Sequence, residues 1–228
     1  QTFSKILGGK DLVGIAQTGT GKTIAYCLPL LQELSYSKQN NPRILILVPT
    51  RELVAQVVET LEQLTKYITC RIIGVYGGTN MNTQKIWLQD GADIVVATPG
   101  RLMDHMERGT INLSDLKIVV LDEADQMLDI GFAPDIARIL RRVSSQRQTL
   151  LFSATMPVTI KKLATRYLKH PIWIQVGKDA EPVEQVVQLY YEVLEKDRPK
   201  LLKLLLDKPG YITQTLIFRR TKLGVVHL

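Results

Sequence analysis

The stretch DLVGIAQTGTGKT (residues 11–23) decides the fold, because it predicts a strand that turns directly into a helix. The five residues after Asp11 are apolar, which is typical of a strand covered on both faces. Gly19 and Gly21 then allow the backbone to curl tightly, and a helical run over 22–35 follows. A strand of this kind needs further strands beside it, and the rest of the chain provides candidates.

Short apolar runs alternate with longer amphipathic runs over most of the chain. Strands are predicted at 11–16, 43–49, 71–76, 93–98, 117–122, 148–153 and 172–176. Helices are predicted at 22–35, 51–67, 80–89, 99–108, 134–143 and 157–168. This repetition predicts an α/β fold with a doubly wound, mostly parallel sheet and helices on both faces. In such sheets the ligand site lies at the carboxyl ends of the strands.

A polar segment after the last of these strands predicts a boundary between two domains. We expect a first domain over 1–176, a linker over 177–184, and the truncated start of a second α/β domain over 185–228. The last piece has 44 residues, which is at the lower limit for folding alone. Its predicted elements are a strand (186–194), a helix (196–208), a strand (215–218) and the beginning of another helix.

The composition is that of an ordinary globular protein. The 228 residues carry a net charge of +7 with a pI of about 9.4, and 45% of them are hydrophobic. This apolar content is enough for a core and argues against disorder. The positive charge favours a polyanionic partner, although a soluble surface with spare lysines has the same charge.

The spacing of the cysteines and histidines and the length of the apolar runs argue against metal-binding and membrane-spanning proteins. Cys27 and Cys70 lie far apart at no metal-binding spacing, which is typical of reduced thiols in a cytosolic protein. The three histidines are scattered, which argues against zinc. Because the apolar runs are too short to span a bilayer, we expect no membrane partner and a cytoplasmic protein, or a nuclear one in a eukaryote. No signal peptide is visible, but no Met precedes Gln1, so an upstream targeting segment stays open.

The glycine-rich turn has the Walker A pattern of phosphate-binding loops, with Ala16 in place of the first glycine. Backbone N–H groups of such a loop and of the helix behind it form a nest for anions. Lys22 would reach the β- and γ-phosphates, and the hydroxyl of Thr23 would bind Mg²⁺. The alternative is a glycine-rich turn with an exposed lysine, which the strand–loop–helix context disfavours. The candidate ATP-binding residues are Ala16, Gln17, Thr18, Gly19, Thr20, Gly21, Lys22 and Thr23.

A second apolar strand, KIVVL, runs directly into the acidic stretch DEAD at 122–125. A carboxylate cluster at that place is costly unless a cation lies against it, and a magnesium ion carried by a nucleotide would supply the charge. Asp122 would hold Mg²⁺, and Glu123 would polarise the water that attacks the γ-phosphate. For Asp125 the alternative is an acid that stabilises a helix N-terminus.

These motifs, together with others in the same order, resemble the DEAD-box ATP-dependent RNA helicases of superfamily 2. The resemblance covers nearly the whole chain and identifies it with the N-terminal RecA-like domain of that family and the start of the second domain. The matching stretches are AQTGTGKT (16–23), PTREL (49–53), GG (77–78), TPGR (98–101), DEAD (122–125), SAT (153–155) and, more loosely, LIFRRTK (216–222).

The resemblance implies roles for residues outside the nucleotide loop. Contacts to the RNA sugar–phosphate backbone are implied for Thr50, Arg51, Gly78, Thr98, Gly100 and Arg101. For the two arginines the alternative is a solvated or capping side chain at a helix start. Asp125, Ser153 and Thr155 are implied to link the acidic motif to the domain interface; ordinary turn hydroxyls are the alternative for the latter two. Four arginines within 138–147 belong to no motif and are interpreted as a solvated helix end rather than an RNA patch.

The chain departs from the family pattern at both ends. The glutamine that reads adenine in the family would fall before Gln1, so adenine selectivity rests on the resemblance alone. The arginines that the family's second domain contributes to the ATP site have no counterpart, and Arg219 and Arg220 are not assigned that role.

The resemblance implies an enzyme that binds ATP and Mg²⁺, grips RNA by its backbone and separates short duplexes by closing two domains. Lys22 and Glu123 would be its catalytic residues, and the 228-residue chain alone would be largely inactive in unwinding. A kinase or GTPase is disfavoured by PTREL, TPGR and SAT and by the lack of an Asn-Lys-x-Asp stretch. A scaffolding module and a DNA helicase stay open, as do the protein partners and the oligomeric state.

Overall fold

The computed structural model describes residues 2–17, 19–34, 38–177, 187, 189–207 and 214–226. The chain divides into two compact units, Gln1–Glu181 and Pro182–Leu228. All of the predicted linker except Gly177 lies outside the described residues.

Unit 1 contains all seven predicted strands. They are β1 (Leu12–Ala16), β2 (Ile44–Leu47), β3 (Ile72–Val75), β4 (Ile94–Ala97), β5 (Ile118–Leu121), β6 (Gln148–Ser153) and β7 (Ile172–Val176). All pairings between them are parallel, and the strand order is β3-β4-β2-β5-β6-β1-β7. The predicted doubly wound parallel sheet is therefore confirmed.

The helices of unit 1 are α1 (Phe3–Leu7), α2 (Lys22–Glu33), α3 (Arg51–Leu64), α4 (Met81–Asp90), α5 (Pro99–Glu107), α6 (Ala124–Asp129), α7 (Ala133–Arg142) and α8 (Val158–Tyr167). Six of them were predicted, with ends that differ by at most three residues. The sequence analysis missed α1 and α6, because helices of five and six residues are too short to show an apolar period. None of the described helices is long and apolar enough to cross a bilayer.

The helices cover both faces of the sheet. Alternate residues of the strands β1 to β6, such as Ile44 and Leu45 in β2, lie in two separate apolar clusters, whereas the edge strand β7 contributes Ile174 to one of them. Helices α1 to α3 pack in one cluster and α4 to α8 in the other. The chain moves outward to β3 along the first face and returns along the second, as the handedness rule for parallel crossovers requires. Coverage on both faces explains why the strands are apolar without alternation.

The cysteines are free thiols. Cys27 is buried in α2, and Cys70 lies half-buried before β3. Burial raises the pKa of Cys27 to about 12 and that of Cys70 to about 11, with a further contribution from Asp122 and Asp93 respectively. Both thiols are therefore protonated at neutral pH and act as small packing residues.

Unit 2 has helices but lacks the predicted strands among its described residues. Its helices are α9 (Arg198–Leu206), preceded by one 3₁₀ turn (Glu195–Asp197), and α10 (Lys222–Val226). The strand predictions at 186–194 and 215–218 are wrong for the described residues 189–194 and 214–219, which are in no strand. A strand requires a neighbour for its backbone hydrogen bonds, and none of these described residues has one.

Close packing inside the sheet generates the first testable prediction. Gly14 of β1 lies beside Phe152 of β6, and a Cβ at residue 14 would stand 2.7 Å from two carbons of the phenyl ring. We expect Gly14→Ala to lower the free energy of unfolding by about 1–3 kcal/mol, because a buried ring must move. Urea unfolding followed by circular dichroism measures the change.

Gly77→Ala is the matched control, because a Cβ there meets no heavy atom within 4 Å and the backbone is not in the left-handed region. Its stability should stay within about 0.5 kcal/mol of the wild type. Equal stability of the two variants would contradict the close packing of Gly14 against Phe152.

Candidate functional site

The loop after β1 has the backbone that a phosphate-binding loop requires. Gly19 and Gly21 have φ angles of 80° and 84°, a region that other residues enter only with strain. Gly21 is also the N-cap of α2, so the first N–H groups of that helix are available for an anion. The hydroxyl of Thr20 donates to the carbonyl of Gln17 at 2.7 Å and closes the loop. Thr18 lies outside the described residues.

Lys22 folds back onto its own loop. Its Nζ donates to the carbonyl oxygen of Ala16 at 2.9 Å. Its positive charge opposes the rise in pKa that burial causes for Asp122 and Glu123, so the ammonium lies within electrostatic reach of both acids. Exchanging a neutral carbonyl for a phosphate would give Lys22 a charge-assisted hydrogen bond, which is the stronger kind.

Asp122 is held by hydrogen bonds to both carboxylate oxygens. Oδ2 accepts from the hydroxyl of Tyr26 at 2.8 Å, and Oδ1 accepts from the backbone N–H of Glu123 at 2.9 Å. Burial raises the pKa of Asp122, although the bond from Tyr26 and the charge of Lys22 act in the opposite direction. The carboxylate is thus oriented but poorly compensated in charge.

Tyr26 brings the two predicted metal ligands together. Its phenol is fully buried, and its pKa is raised by burial and then by the charge of Asp122. The hydroxyl of Thr23 is near enough to lower that pKa, so Thr23 and Asp122 both lie close to one phenolic oxygen. Tyr26 was not predicted as part of the site, although its position three residues after Thr23 on a helix places both on one face.

The donor set at this place fits Mg²⁺. A carboxylate and a hydroxyl offer the oxygen atoms that this ion prefers. Burial raises the pKa of Asp122, and a cation beside the carboxylate would favour its ionised form. Among the described residues, no group of three or more His, Cys, Asp or Glu side chains could hold a metal. The ion would therefore share its coordination with water and phosphate oxygens, as Mg²⁺ commonly does.

Glu123 occupies a strained backbone conformation. Its φ and ψ are both 49°, a left-handed conformation that costs a non-glycine residue about 1–2 kcal/mol. The residue is the N-cap of α6, so this conformation lies where the chain passes from the end of β5 into the helix. Burial and then the charge of Asp122 raise the pKa of Glu123, which moves this carboxylate toward the range of an effective general base.

Asp125 links α6 to the loop after β6. Its Oδ2 accepts from the backbone N–H and from the hydroxyl of Thr155, each at 2.8 Å. Burial alone would raise the pKa of Asp125, but these bonds and that of Gln126 outweigh it and the pKa is lowered. Ser153 is fully buried and contributes to the lower pKa, although its Oγ makes no hydrogen bond of ordinary geometry to the described residues.

The loops after β2 and β3 meet each other at the carboxyl edge of the sheet. Thr50 is the N-cap of α3, where its hydroxyl accepts from the N–H of Leu53 at 3.2 Å. Arg51 is exposed and pairs with Glu52 at 2.5 Å. Gly78 has a φ of 88°, and the position of its missing Cβ lies 3.7 Å from Nη1 of Arg51. An exposed guanidinium and a bare backbone turn therefore stand side by side.

Arg101 is held against the protein. Its Nη1 donates to the carbonyl of Thr79 at 2.9 Å and to Oε1 of Gln84 at 3.2 Å, and its side chain is 15% exposed. Arg101 is therefore neither a solvated side chain nor one that caps a helix. The guanidinium instead ties α5 to the loop after β3. Thr98 and Gly100 lie in the same turn, with Thr98 as the N-cap and Gly100 beside the ring of Phe132.

Arginines within 138–147 make hydrogen bonds and an ion pair within α7 and at its C-terminal end. Arg147 donates from Nη1 to the carbonyls of Leu140 and Ser144 at 3.2 and 2.9 Å, which satisfies the last turn of that helix. Arg138 forms an ion pair with Asp135 at 4.0 Å. These contacts agree with the interpretation as a helix end.

Comparison with known proteins agrees with this geometry. The sequence matches the model of a family described as DEAD/DEAH box helicase over residues 1–163. It is 43% identical to the DEAD-box ATP-dependent RNA helicase CshA of Bacillus cereus, covering 100% of this chain and 43% of the relative. It is 42% identical to the ATP-dependent RNA helicase DeaD of Buchnera aphidicola, covering 95% of this chain and 36% of the relative. The chain thus spans less than half the length of these curated relatives.

A solved structure has the same fold. A DEAD box protein from the hyperthermophile Methanococcus jannaschii superimposes with a TM-score of 0.73 at 37% identity. The match covers 92% of this chain and 56% of that structure.

The bond between Thr155 and Asp125 gives a prediction on stability. Thr155→Val removes one donor to a partly buried carboxylate, so we expect a loss of about 1 kcal/mol at pH 7, a value reduced for partial exposure. The pKa of Asp125 is lowered on folding from its ordinary 3.8. Its stabilising contribution is therefore present above the unfolded pKa and lost as the pH falls through the folded pKa. The deficit should persist from pH 7 to about pH 5 and shrink below about pH 4.

Thermal unfolding at several pH values measures this deficit. Thr165→Val is the control, because the Thr165 hydroxyl is exposed and bonds only the carbonyl of Lys161 at 2.9 Å. A deficit for Thr155→Val that does not depend on pH would show that the bond to Asp125 is not its source.

Proposed function

Because the chain belongs to the DEAD/DEAH box helicase family, we propose that it forms the nucleotide- and RNA-binding part of an ATP-dependent RNA helicase. The relatives are more than twice as long, so the unwinding activity is assigned to a protein that carries further sequence. One observation carries the proposal: Tyr26 joins Asp122 to α2, the helix that begins with Lys22 and Thr23, at the edge of the sheet where the loops that would bind the RNA backbone also begin.

The nucleotide site uses residues of two loops. Backbone N–H groups of 16–23 and the N-terminus of α2 bind the phosphates, and Lys22 pairs with their charge. Thr23 and Asp122 hold Mg²⁺, which neutralises phosphate charge when bound. Glu123 orients the attacking water and accepts its proton, a role that its raised pKa favours. Adenine selectivity rests on family membership.

The RNA site is a series of loop contacts without base readout. Arg51 offers an exposed guanidinium, Arg101 offers a second one beside the loop after β3, Thr50 and Thr98 offer hydroxyls, and Gly78 and Gly100 offer backbone that a strand can approach closely. Groups of this kind bind phosphate and sugar rather than base edges. The net charge of +7 supports a polyanionic partner. The preference for RNA over DNA is taken from the family.

The domain organisation follows the same proposal. Residues 1–176 form the first RecA-like domain, 177–184 the linker and 185–228 the start of the second. Asp125, Ser153 and Thr155 couple the acids of the ATP site to the interface with a complete second domain. Because ATP and RNA are intracellular and both cysteines are free, we propose a cytoplasmic protein.

Two variants separate nucleotide binding from turnover. Lys22→Ala should weaken ATP binding measured by calorimetry, because phosphate charge loses its partner. Glu123→Gln should leave ATP affinity unchanged and, in a protein with a complete second domain, lower turnover by on the order of 10²–10⁴, because the side chain no longer accepts a proton. A folded Lys22→Ala variant with wild-type ATP affinity, or a Glu123→Gln variant with wild-type turnover, would refute the respective role.

Strand displacement tests the function itself. We expect the 228-residue chain alone to bind ATP and RNA weakly and to displace no strand of a short RNA duplex. It offers one side of the ATP site, and an arginine supplied across a domain interface contributes on the order of 10³–10⁵ to phosphoryl transfer. Full-length CshA of Bacillus cereus is the positive control. Robust ATP-dependent displacement by this chain alone would contradict the requirement for a complete second domain.

A further inference from the structure

A cluster of buried polar side chains lies beneath the loop that joins β3 to α4. We call it the Gln84 network and define it as Gln84, Arg101, His105 and Thr110. Gln84 and His105 are both 0% exposed. The network sits between α4 and α5, away from Lys22 and the acids, and no motif of the sequence analysis includes its central residue.

The partners of Gln84 decide which atom of its amide donates a hydrogen bond and which atom accepts. Its Nε2 donates to the carbonyl of Tyr76 at 2.9 Å, which fixes the orientation of the amide. Its Oε1 therefore accepts, once from Nη1 of Arg101 at 3.2 Å and once from Nε2 of His105 at 3.1 Å.

His105 completes the network as a neutral side chain. Because Nε2 carries the proton that it donates to Gln84, Nδ1 of the neutral ring is an acceptor 2.7 Å from the hydroxyl of Thr110. The same hydroxyl lies 3.1 Å from the carbonyl of His105, so its one proton is shared between two acceptors. Burial and then the charge of Arg101 lower the pKa of His105, which favours this neutral form. Every side chain of the network thus has its partner inside the protein.

The network holds the loop after β3 on both sides of the glycine pair Gly77–Gly78. Gln84 binds the carbonyl of Tyr76 before the pair, and Arg101 binds the carbonyl of Thr79 after it, at 2.9 Å each. Since Gln84 also bonds to Arg101, the two anchors are connected. Between them, Gly78 takes its left-handed conformation beside Arg51.

Packing alone gives no reason for a glutamine at this position. Leu88 lies one turn later on the same face of α4 and packs in the apolar core. An apolar side chain at residue 84 would extend that core, whereas a buried amide costs free energy unless each of its groups is paired. The pairing that Gln84 achieves is directed at the loop.

We propose that Gln84 is a positioning residue for RNA: through Arg101 and the carbonyl of Tyr76 it holds the 76–79 loop in the shape that receives the nucleic-acid backbone. Gln84 does not touch the RNA. A loop fixed before binding loses less conformational freedom when RNA arrives, so the complex is tighter. This inference rests on the proposed RNA-binding function.

The test compares Gln84→Leu with Gln89→Ala, an exposed change on the same helix. Affinity is measured by fluorescence anisotropy at low salt with a labelled oligouridylate of about ten nucleotides, which fits the usual site size. We expect Gln84→Leu to bind roughly three- to tenfold more weakly, the loss of one or two hydrogen bonds. ATP affinity by calorimetry should not change, and Gln89→Ala should match the wild type in both.

A double-mutant cycle with Arg101→Ala tests whether Gln84 affects RNA affinity through the loop that Arg101 also holds. If Gln84 acts through the loop that Arg101 also holds, the double variant should bind RNA no more than about twofold more weakly than Arg101→Ala alone. Additive losses would mean that Gln84 acts independently of Arg101 and would overturn the inference. So would wild-type RNA affinity in Gln84→Leu, or a parallel loss of ATP affinity.

If Gln84→Leu does not fold, Gln84→Asn applies the same test, because a shorter amide stays polar but cannot reach all three partners. Its RNA affinity should fall while its ATP affinity is retained, and unchanged RNA affinity would overturn the inference. Absence of RNA binding by the wild-type chain would be a different result, which refutes the proposed function itself.

Discussion

Parallel pairing of all the strands in the sheet of unit 1 is the constraint on which its functional contacts depend. Parallel strands share one direction, so the loops that follow β1 to β6 all leave from the same edge. The glycine-rich loop, the acids after β5 and the hydroxyls after β6 come from distant parts of the chain. They meet because the register aligns the ends of β1, β5 and β6.

Acidic side chains at that edge are buried close to one lysine, as the proposed site for a nucleotide with Mg²⁺ would require. Burial raises the pKa of Asp122 and of Glu123, and the charge of Asp122 raises the pKa of Glu123 further, while the charge of Lys22 acts in the opposite direction on both. Tyr26 orients Asp122 without neutralising it, since a phenol donates a hydrogen bond but carries no charge. Glu123 adds backbone strain at the same point. Such strain and uncompensated charge persist where the surrounding fold is rigid enough to support them.

The polar contacts farther along the edge have a different role. Asp125 and Thr155 bind each other with short hydrogen bonds, and Arg101 and Gln84 hold the loop after β3. These groups are satisfied within the protein, so they fix the shape of the loops rather than present free charge. Arg51, with its exposed guanidinium, is the contrasting case. The edge thus combines loops held by buried polar side chains with a small number of exposed groups that a polyanion would meet.

The sequence by itself determined the fold class and most of the candidate site. Apolar runs without alternation predicted most strands of unit 1, because a strand that is buried on both faces has few polar positions. Gly19, Gly21, Lys22 and Asp122 were found because phosphate binding requires local chemistry that is visible in consecutive residues. The tertiary structure decided the rest. It showed Tyr26 against Asp122 across 96 residues of chain, it showed that Arg101, a predicted RNA contact, also bonds to the loop after β3, and it left 214–219 outside any strand. A side chain's partner depends on which elements pack together, and a strand depends on a neighbour, so neither can be read from the residue and its near neighbours alone.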